Sequence, residues 1–242
     1  MKYPKKLYFK NYVFLVDEKV YEPAEDTFLL AENMKVKEND VVLDMGTGCG
    51  ILAVLAAEKA KKVVAIDINP YAIKCAEKNA ELNGVEKKIE FRLGELFQPI
   101  GSNETFDMIV FNAPYLPSEL YEERSWIGKA WAGGSGGRKV IDSFIMDVPK
   151  FLTTGGRILL VQSSLSDINK TLKLLGEMGL KAEVYAEVKI PFERIVLIEV
   201  KRANLARAYL SSCHSALRKS QLFSSAHADS SDVCALNFAC MH

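Results

Sequence analysis

The fold is decided by the stretch Val41-Val42-Leu43-Asp44-Met45-Gly46-Thr47-Gly48-Cys49-Gly50. Its first three residues form a continuous apolar run, as expected for a strand that is buried on both faces. Three glycines in the spacing G-x-G-x-G follow, and residues 51–58 then have a helical pattern. Glycines let the backbone approach a ligand closely, and a helix start presents free N–H groups. The stretch predicts a strand, a ligand-binding turn and a helix, with a purely structural tight turn as the alternative.

The spacing of the turn narrows the kind of ligand. Ile51 occupies the position that would hold the third glycine of the dinucleotide fingerprint, and no Gly-Lys-Ser/Thr sequence follows as in a phosphate-binding loop. Asp44, just before the first glycine, adds a negative charge that repels a diphosphate and attracts a cation. The turn therefore favours a ligand with a positive charge.

A second buried strand, residues 63–66, ends at Asp67. Asp67 follows Gly46 by 21 residues, the distance at which a carboxylate in such folds binds ribose hydroxyls. Asn69 and Pro70 are suited to cap and open the next helix, and Gly84 to end it. Asp67 is therefore a candidate ribose ligand.

The rest of the chain alternates strands with helices. The segments predicted as strands of one sheet are residues 41–43, 63–66, 89–93, 106–111, 157–161, 182–190 and 194–200. Helices are predicted for residues 139–152 and 167–178, and Pro23 suits the first turn of a helix that runs to Leu30. The last two strands are close enough to pair antiparallel, and residues 8–16 predict a hairpin or extended arm. The pattern indicates a doubly wound α/β sheet that closes on a hairpin.

Asn112-Ala113-Pro114-Tyr115 follows the apolar strand 106–111 directly. Open α/β sheets place their chemistry at such carboxyl ends. A carboxamide both donates and accepts hydrogen bonds, proline leaves neighbouring carbonyls free, and tyrosine offers a flat face with a polar tip. The motif suits an amide or an exocyclic amine, with an ordinary Asn/Pro turn as the alternative. The glycine-rich segment Trp131–Arg138 further along predicts a mobile loop or lid.

Composition excludes several classes of protein. Lys plus Arg equals Asp plus Glu at 31 each, so no global basic field attracts nucleic acid. The apolar runs are too short to span a membrane, and no signal peptide is evident, which predicts a soluble cytoplasmic protein. The five cysteines form no C-x-x-C pair, so neither a disulfide framework nor a structural zinc site is expected. All three histidines lie in the last thirty residues, so the chemistry of the core needs no imidazole base and no histidine-bound metal.

The composition changes after Lys201. Residues 202–242 contain no Glu and no Ile, and after a possible helix over 203–218 they show no period. We therefore expect one domain over residues 1–201, of which 1–38 form the N-terminal arm and helix, followed by a disordered or foreign tail. The alternative for the tail is a metal site formed by Cys213, His214, Cys234, Cys240 and His242, which the irregular spacing does not favour.

With these elements placed, residues 8–200 resemble the S-adenosylmethionine-dependent class I methyltransferases. More narrowly, they resemble the archaeal and eukaryotic branch of the HemK/PrmC glutamine methyltransferases, which lacks the bacterial N-terminal domain. The motifs that carry the likeness are Val20–Leu30, with its Tyr-Glu-Pro-Ala-Glu-Asp-Thr sequence, Asp44–Gly50 and Asn112–Tyr115. The segments Trp131–Gly134 and Gly137-Arg138 are also similar to that branch.

The resemblance implies a Rossmann-like, seven-stranded, mostly parallel sheet and S-adenosyl-L-methionine as cofactor, with S-adenosyl-L-homocysteine as product. The implied cofactor-binding residues are Thr27, Asp44, Gly46, Gly48, Asp67, Glu95, Leu96 and Asn112. The implied catalytic residues are Asn112, Ala113, Pro114 and Tyr115. The sequence departs from the family at two positions, because position 95 is usually Asp and position 113 is usually Pro.

The implied reaction is methylation of a glutamine side-chain nitrogen in the Gly-Gly-Gln loop of a translation release factor. The alternatives are methylation of adenine in nucleic acid, disfavoured by the balanced charge, and a non-enzymatic cofactor-binding module. Enzymes of this branch often work with a small zinc-binding activator subunit, and the strand 89–93 is a plausible edge for its pairing.

Overall fold

The computed structural model describes residues 4–119 and 122–202, so the predictions for residues 203–242 lie outside the described residues. The strands are β1 (Lys5–Phe9), β2 (Tyr12–Val16), β3 (Val41–Met45), β4 (Lys62–Asp67), β5 (Ile89–Leu93), β6 (Phe106–Asn112), β7 (Leu152–Ser163), β8 (Leu180–Ile190) and β9 (Glu193–Arg202). The α-helices are α1 (Glu25–Asn33), α2 (Ile51–Ala57), α3 (Pro70–Leu82), α4 (Trp126–Trp131), α5 (Lys139–Asp147) and α6 (Ile168–Glu177).

Seven strands form one sheet in the order β5-β4-β3-β6-β7-β9-β8. The strands from β5 to β7 are parallel, and β9 pairs antiparallel with both β7 and β8. Strands β1 and β2 form a separate antiparallel hairpin. The predicted mostly parallel sheet with a C-terminal antiparallel hairpin and a short N-terminal β arm is confirmed.

The direction of the chain across the sheet reverses between β3 and β6. From β3 the chain moves outward through β4 to β5, then returns to β6 beside β3 and continues to β7. Right-handed crossovers therefore place the helices of the two halves on opposite faces. Consistently, α1 and α3 both contact α2, whereas α5 contacts α6. Such a reversal leaves a crevice at the carboxyl ends of β3 and β6, where ligands bind in sheets of this type.

The central strands give that crevice a rigid base. Val42 and Leu43 of β3 and Met108, Ile109 and Val110 of β6 have no exposed side-chain surface. Each buried aliphatic side chain of this size contributes about 1.5–3 kcal/mol to the stability of the fold. The residues at the ends of β3 and β6 are therefore held by the best-packed part of the core.

Two asparagines, Asn79 in α3 and Asn83 directly after this helix, bind the N-terminal hairpin. The fully buried Asn79 accepts from Leu15 N at 2.8 Å and donates to Leu15 O at 2.9 Å. Asn83 pairs in the same way with Val13, at 3.1 and 2.9 Å. The two carboxamides thus make the backbone hydrogen bonds that a neighbouring strand would otherwise make with β2 on this side. They fix the chain that leads to residues 20–27 beside the crevice.

Three predicted boundaries differ from the structure. Helix α1 begins at Glu25, because Ala24 is extended (φ −128°, ψ −163°), so Pro23 lies before the helix and not in its first turn. Helix α5 ends at Asp147, because Pro149 has no N–H with which to continue the helical hydrogen bonds, and a short 3-10 turn follows over Val148–Lys150. Strand β7 begins at Leu152 and not at residue 157, and Gly155 and Gly156 lie inside it at a bulge, where the register with β6 shifts.

Within the described ranges no helix has both the length and the apolar composition needed to cross a membrane.

Gly50, at the start of α2, provides a test of the packing between α2 and α3. Its φ is +85°, and a Cβ atom there would lie 2.8 Å from the Ala76 Cβ of α3. Gly84 has a similar φ of +69°, but a Cβ atom there would meet nothing within 4 Å. We expect Gly50→Ala to lower the free energy of unfolding by about 2–5 kcal/mol, from backbone strain plus overpacking. The control Gly84→Ala should lose only the strain, about 1–2 kcal/mol. Urea unfolding measures both, and equal losses would contradict the close contact.

Candidate functional site

A cavity of about 390 Å³ opens at the carboxyl ends of β3, β4 and β6. This volume lies within the range typical of small-molecule sites, about 300–1,000 Å³. The residues proposed from the sequence that line it are Thr27, Gly46, Gly48, Asp67, Glu95, Leu96, Asn112 and Pro114. The topology thus gathers into one cavity residues that lie far apart along the chain.

The glycines of the turn after β3 have different roles. Gly46 and Gly48 both have positive φ, +68° and +57°, and both line the cavity. A Cβ atom on Gly48 would meet no protein atom within 4 Å, because this residue borders open space. Gly50 does not line the cavity and instead allows the contact with α3. Gly46 and Gly48 therefore expose the backbone of the turn to the cavity, and Gly50 allows α2 and α3 to pack closely.

Asp44 is fully buried at the end of β3 and lies beneath this turn, not on the cavity wall. The Thr47 hydroxyl donates to Oδ2 at 2.6 Å, whereas Oδ1 accepts no hydrogen bond of normal geometry from the described residues. Burial, with a smaller effect from the charge of Asp67, raises the pKa of Asp44 to about 7, despite the hydrogen bond from Thr47. The turn thus covers a carboxyl group that lacks a compensating charge, and a cation in the cavity would stabilise its ionised form.

Asp67 ends β4 at the cavity wall, with both carboxylate oxygens held by backbone. Gly48 N donates to Oδ2 at 2.9 Å, and Asn69 N donates to Oδ1 at 2.8 Å. Burial raises the pKa of Asp67, and these two N–H groups oppose that effect. Each oxygen retains a further lone pair, so the group can accept two hydroxyls from one ligand. This is the geometry that a vicinal diol requires.

Glu95 and Leu96 line the opposite part of the cavity. Leu96 has a φ of +47°, a left-handed conformation that is uncommon for a residue other than glycine. The side chain of Ile68, which also lines the cavity, is 39% exposed. An exposed carboxylate between aliphatic side chains suits a flat, mostly apolar ring that carries a hydrogen-bond donor.

Asn112 is the last residue of β6 and lines two cavities. The second, about 310 Å³, is bordered by Tyr21, Asp26, Asn112, Ala113, Tyr115, Leu116, Ala130 and Trp131. Asn112 Nδ2 donates to Thr27 Oγ1 at 3.1 Å, whereas the buried Oδ1 has no hydrogen-bond partner among the described residues. An unused acceptor therefore belongs to a residue that borders both cavities.

Asp26 lies behind this motif with a side chain that is 6% exposed. Its Oδ2 accepts from Tyr115 Oη at 2.9 Å and from Tyr21 Oη at 3.1 Å. Its Oδ1 accepts from Thr27 N at 2.6 Å and from Thr27 Oγ1 at 3.1 Å. Burial first, and then the charge of Asp26, raises the pKa of Tyr115, so the phenol remains a donor. One carboxylate thus holds the hydroxyl groups of three neighbours.

The amino-acid sequence is similar to those of known methyltransferases. A putative protein N5-glutamine methyltransferase of Methanocaldococcus jannaschii is 42% identical over 185 residues, which cover 76% of this chain and 92% of that protein. The chain belongs to the HemK family of glutamine methyltransferases. The human methyltransferase HEMK2 is 33% identical over 67% of the chain and 80% of its own length. The family model for ribosomal protein L11 methyltransferase matches residues 26–115 of this HemK-family chain.

Solved methyltransferase structures have a similar fold. The E. cuniculi Mtq2–Trm112 complex, responsible for methylation of the translation termination factor eRF1, matches with a TM-score of 0.60 and 25% identity over 76% of this chain and 99% of that chain. A tRNA m1G37 methyltransferase of M. jannaschii matches with a TM-score of 0.61 and 27% identity over 84% of this chain but only 58% of that chain.

In this HemK-family enzyme the glycine-rich segment Trp131–Arg138 packs beneath the Asn112 motif. Leu116 N donates to Trp131 O at 3.0 Å, and Gly133 N donates to Leu116 O at 2.8 Å. A Cβ atom on Gly137 would lie only 2.3 Å from Tyr115 O. Residues 133–138 form a loop, as predicted, and its glycines allow two backbone segments to pack closely. Its movement as a lid stays a prediction.

Several lining residues were not predicted from the sequence. Tyr21 and Asp26 belong to the Tyr-Glu-Pro-Ala-Glu-Asp-Thr segment, but acids at a helix start are common, so Asp26 gave no separate signal. Trp126, Lys129 and Ala130 of the short helix α4 line the larger cavity without any recognisable motif. The alternative metal site in the tail lies outside the residues that the structure describes.

Asp44 provides a pH test. Its pKa rises from an ordinary value of 3.8 to about 7 on folding. Below pH 3.8 the group is protonated in both states, and between the two values only the folded state retains the proton. Its contribution to stability is therefore lost as pH rises from about 4 to about 7, on the order of 4 kcal/mol.

We expect Asp44→Asn to remove this loss, so that its unfolding free energy exceeds that of the wild type increasingly between pH 4 and pH 7 and by a constant amount above. Urea unfolding of the two ligand-free proteins at several pH values measures the difference, in which the other carboxylates cancel. Parallel stability curves for the two proteins would show that Asp44 titrates normally.

Proposed function

We propose that this chain transfers a methyl group from S-adenosyl-L-methionine to the side-chain nitrogen of a protein glutamine. The acceptor that we propose is the glutamine of the Gly-Gly-Gln loop of a translation release factor. The observation that carries the proposal is the unpartnered Oδ1 of Asn112, a residue that borders both cavities. It supplies an acceptor for an amide N–H of a substrate that enters the smaller cavity.

Related proteins support the choice of acceptor. The M. jannaschii relative is named a putative protein N5-glutamine methyltransferase, and a Geobacter sulfurreducens relative, 31% identical over 69% of this chain, is a release factor glutamine methyltransferase. The Mtq2–Trm112 complex methylates a termination factor. Glutamine in a release factor is therefore the acceptor with the most support among relatives.

The larger cavity fits S-adenosyl-L-methionine. Asp67 has free lone pairs for the two ribose hydroxyls, and Glu95 with the Leu96 backbone suits the adenine ring and its amine. The uncompensated Asp44 beneath the glycine turn favours the cationic methionine end. The departure at position 95 keeps a carboxylate there and lengthens the side chain by one methylene. When bound, this cofactor supplies a methyl group on a positively charged sulfur.

The residues of the acceptor side compensate for a weak nucleophile. A carboxamide nitrogen shares its lone pair with its carbonyl and attacks poorly. Hydrogen bonds from its two N–H groups to Asn112 Oδ1 and to the Ala113 carbonyl would orient the nitrogen and increase its electron density. The Tyr115 ring, anchored through its hydroxyl at 2.9 Å, would fix the plane of the amide. Pro114 restricts the backbone between them.

The proton of the acceptor nitrogen needs no imidazole. All three histidines of the sequence lie beyond residue 213. An amide nitrogen becomes strongly acidic once it carries the methyl group, so its proton can leave late to solvent through the smaller cavity. We therefore assign to Asn112, Ala113, Pro114 and Tyr115 positioning and electrostatic stabilisation of the transition state.

A small zinc-binding activator subunit is part of the proposal. Strand β5 is an edge of the sheet, as predicted, with Leu93 57% exposed on it. An open edge strand can pair with a strand of another chain. The Mtq2 relative forms a complex with Trm112. We propose β5 as the strand that binds such a subunit here.

Asn112→Ala tests the catalytic assignment. We expect turnover to fall at least about 100-fold, because the nitrogen loses its main orienting acceptor, whereas the affinity for the methyl donor stays within about threefold. Calorimetry measures donor binding, and transfer of labelled methyl measures turnover. The control Asn33→Ala removes a carboxamide that bonds Leu29 O on α1, far from the acceptor. Loss of donor binding in proportion to turnover would reject the role of Asn112.

The acceptor itself is tested by competition. Labelled S-adenosyl-L-methionine is offered with a release-factor domain, its Gln→Ala variant and an adenine-containing oligonucleotide. We expect label on the release-factor domain, none on the variant and none on the oligonucleotide. Label on the oligonucleotide alone would replace glutamine by adenine as the acceptor.

Leu93→Lys tests the activator. A lysine at this position should weaken binding of the zinc-containing subunit about tenfold or more, because a charged side chain replaces the exposed apolar side chain of the edge strand. The control Met146→Lys, on α5, replaces a side chain that is 58% exposed away from the sheet edge. Titration by calorimetry gives both affinities. Equal affinities of the two variants would exclude β5 as the binding strand.

A further inference from the structure

We propose that Asp26 is a positioning residue for methyl transfer, because it sets the direction of the hydrogen bonds that present Asn112 Oδ1 to the acceptor. This inference rests on the proposed function in one respect, namely that the acceptor is bound through an N–H group. Asp26 itself does not touch the reacting atoms. It acts through Thr27 and Tyr115.

The first step is the chemistry of the carboxylate. An ionised carboxylate only accepts hydrogen bonds, so each of its neighbours must point a hydrogen at it. The Thr27 hydroxyl lies 3.1 Å from Oδ1, and the Tyr115 hydroxyl lies 2.9 Å from Oδ2. Tyr21 donates to the same group from the opposite side of the segment. Each of the three hydroxyl groups therefore donates its hydrogen to Asp26.

The second step concerns Thr27. A hydroxyl has one hydrogen, and Thr27 gives it to Asp26. Thr27 Oγ1 can then only accept from Asn112, which lies 3.1 Å away. The carboxamide must present its Nδ2 to Thr27, so its Oδ1 is left free. Two residues that are adjacent in sequence therefore decide which end of Asn112 faces the acceptor.

The consequence is specific to the reaction. With Oδ1 free, Asn112 offers an acceptor to the N–H of an incoming amide. With the carboxamide reversed, Nδ2 would face the acceptor, and two N–H donors would meet. The nitrogen to be methylated would then be turned away from the methyl donor or excluded. Orientation of Asn112 is thus a condition for turnover and not only for packing.

Asp26 also positions Tyr115. The phenol is 8% exposed, and its hydrogen bond to Oδ2 fixes how far the ring extends over the smaller cavity. The position of the Tyr115 ring and the orientation of the Asn112 amide therefore both depend on the Asp26 carboxylate. That carboxylate precedes Tyr115 by 89 residues in the sequence.

Asp26→Asn is the decisive variant, because it keeps the size of the side chain but converts one acceptor oxygen into a donor. Three hydroxyls then compete for one oxygen, and at least one must turn. We expect kcat on the release-factor domain to fall about 100-fold, with donor affinity within about threefold of the wild type.

The matched control is Asp107→Asn. Like Asp26, this carboxylate at the other end of β6 accepts from a backbone N–H, that of Val41, and from a side-chain hydroxyl, here only that of Thr153, both at 3.0 Å. We expect its kcat to stay within about twofold of the wild type, whatever stability it loses.

A second variant separates positioning from folding. Thr27→Val keeps the shape of the side chain and removes the hydroxyl, and we expect a loss in kcat of similar size. In the double variant Asp26→Asn/Thr27→Val the loss should be at least about tenfold smaller than the product of the single losses, since both changes act on Asn112. If Asp26→Asn does not fold, Thr27→Val alone tests the hydrogen-bond direction.

The inference is overturned if folded Asp26→Asn or Thr27→Val retains wild-type kcat at saturating donor, if their losses multiply, or if the donor affinity of Asp26→Asn falls in parallel with its kcat. Thr27 lines the donor cavity, so the donor affinity of Thr27→Val is not used as a criterion. Failure of the proposed function is a different result. In that case the wild-type protein itself does not methylate the release-factor glutamine, whereas the inference is judged from the ratio of each variant to an active wild type.

Discussion

The acceptor site depends on a buried carboxylate that is satisfied by hydroxyl and backbone donors. Asp26 is 6% exposed, and removing a charge from water is expensive unless hydrogen bonds replace its hydration. Four donor groups from Tyr21, Thr27 and Tyr115 do so at 2.6–3.2 Å. Bonds to a charged acceptor are roughly twice as strong as neutral ones. The charge therefore orients its neighbours more firmly than a neutral group of the same shape would.

This arrangement requires the N-terminal segment to sit beside the end of β6. The hairpin of β1 and β2 binds Asn79 of α3 and Asn83 directly after this helix, and Asn69 Nδ2 donates to Lys19 O at 2.8 Å. These contacts bring residues 20–27 from the β4 side of the sheet to the reversal point. The arm therefore has a structural role in the site, because its contacts with α3 and the residues at both ends of this helix fix the place of residues 20–27 beside the end of β6.

Long-range contacts mark the limit of what could be predicted from the sequence. Strands β3, β4 and β6 were recognisable because burial on both faces leaves uninterrupted apolar runs, and Asp67 because its distance from Gly46 follows from one βαβ unit. Asp26 was not assigned a role in the site, since its partner Tyr115 is 89 residues away and a helix start explains an acid equally well. The close packing of the glycine segment was missed for the same reason. Gly137 packs against the backbone of Tyr115, and glycine-rich composition by itself is typical of loops.

The hydrogen bonds of Asp26 also prevent it from accepting the proton of the acceptor nitrogen. Asp26 is the one acidic side chain among the described residues that line the smaller cavity, and its oxygens already accept from four donor groups. The Tyr115 and Tyr21 phenols cannot act as bases either, because burial and the charge of Asp26 raise the pKa of both. A group that is fully used for orientation is not available for proton transfer. The site is therefore built for a nucleophile that gives up its proton to solvent after the bond to carbon has formed, which is the behaviour of an amide nitrogen.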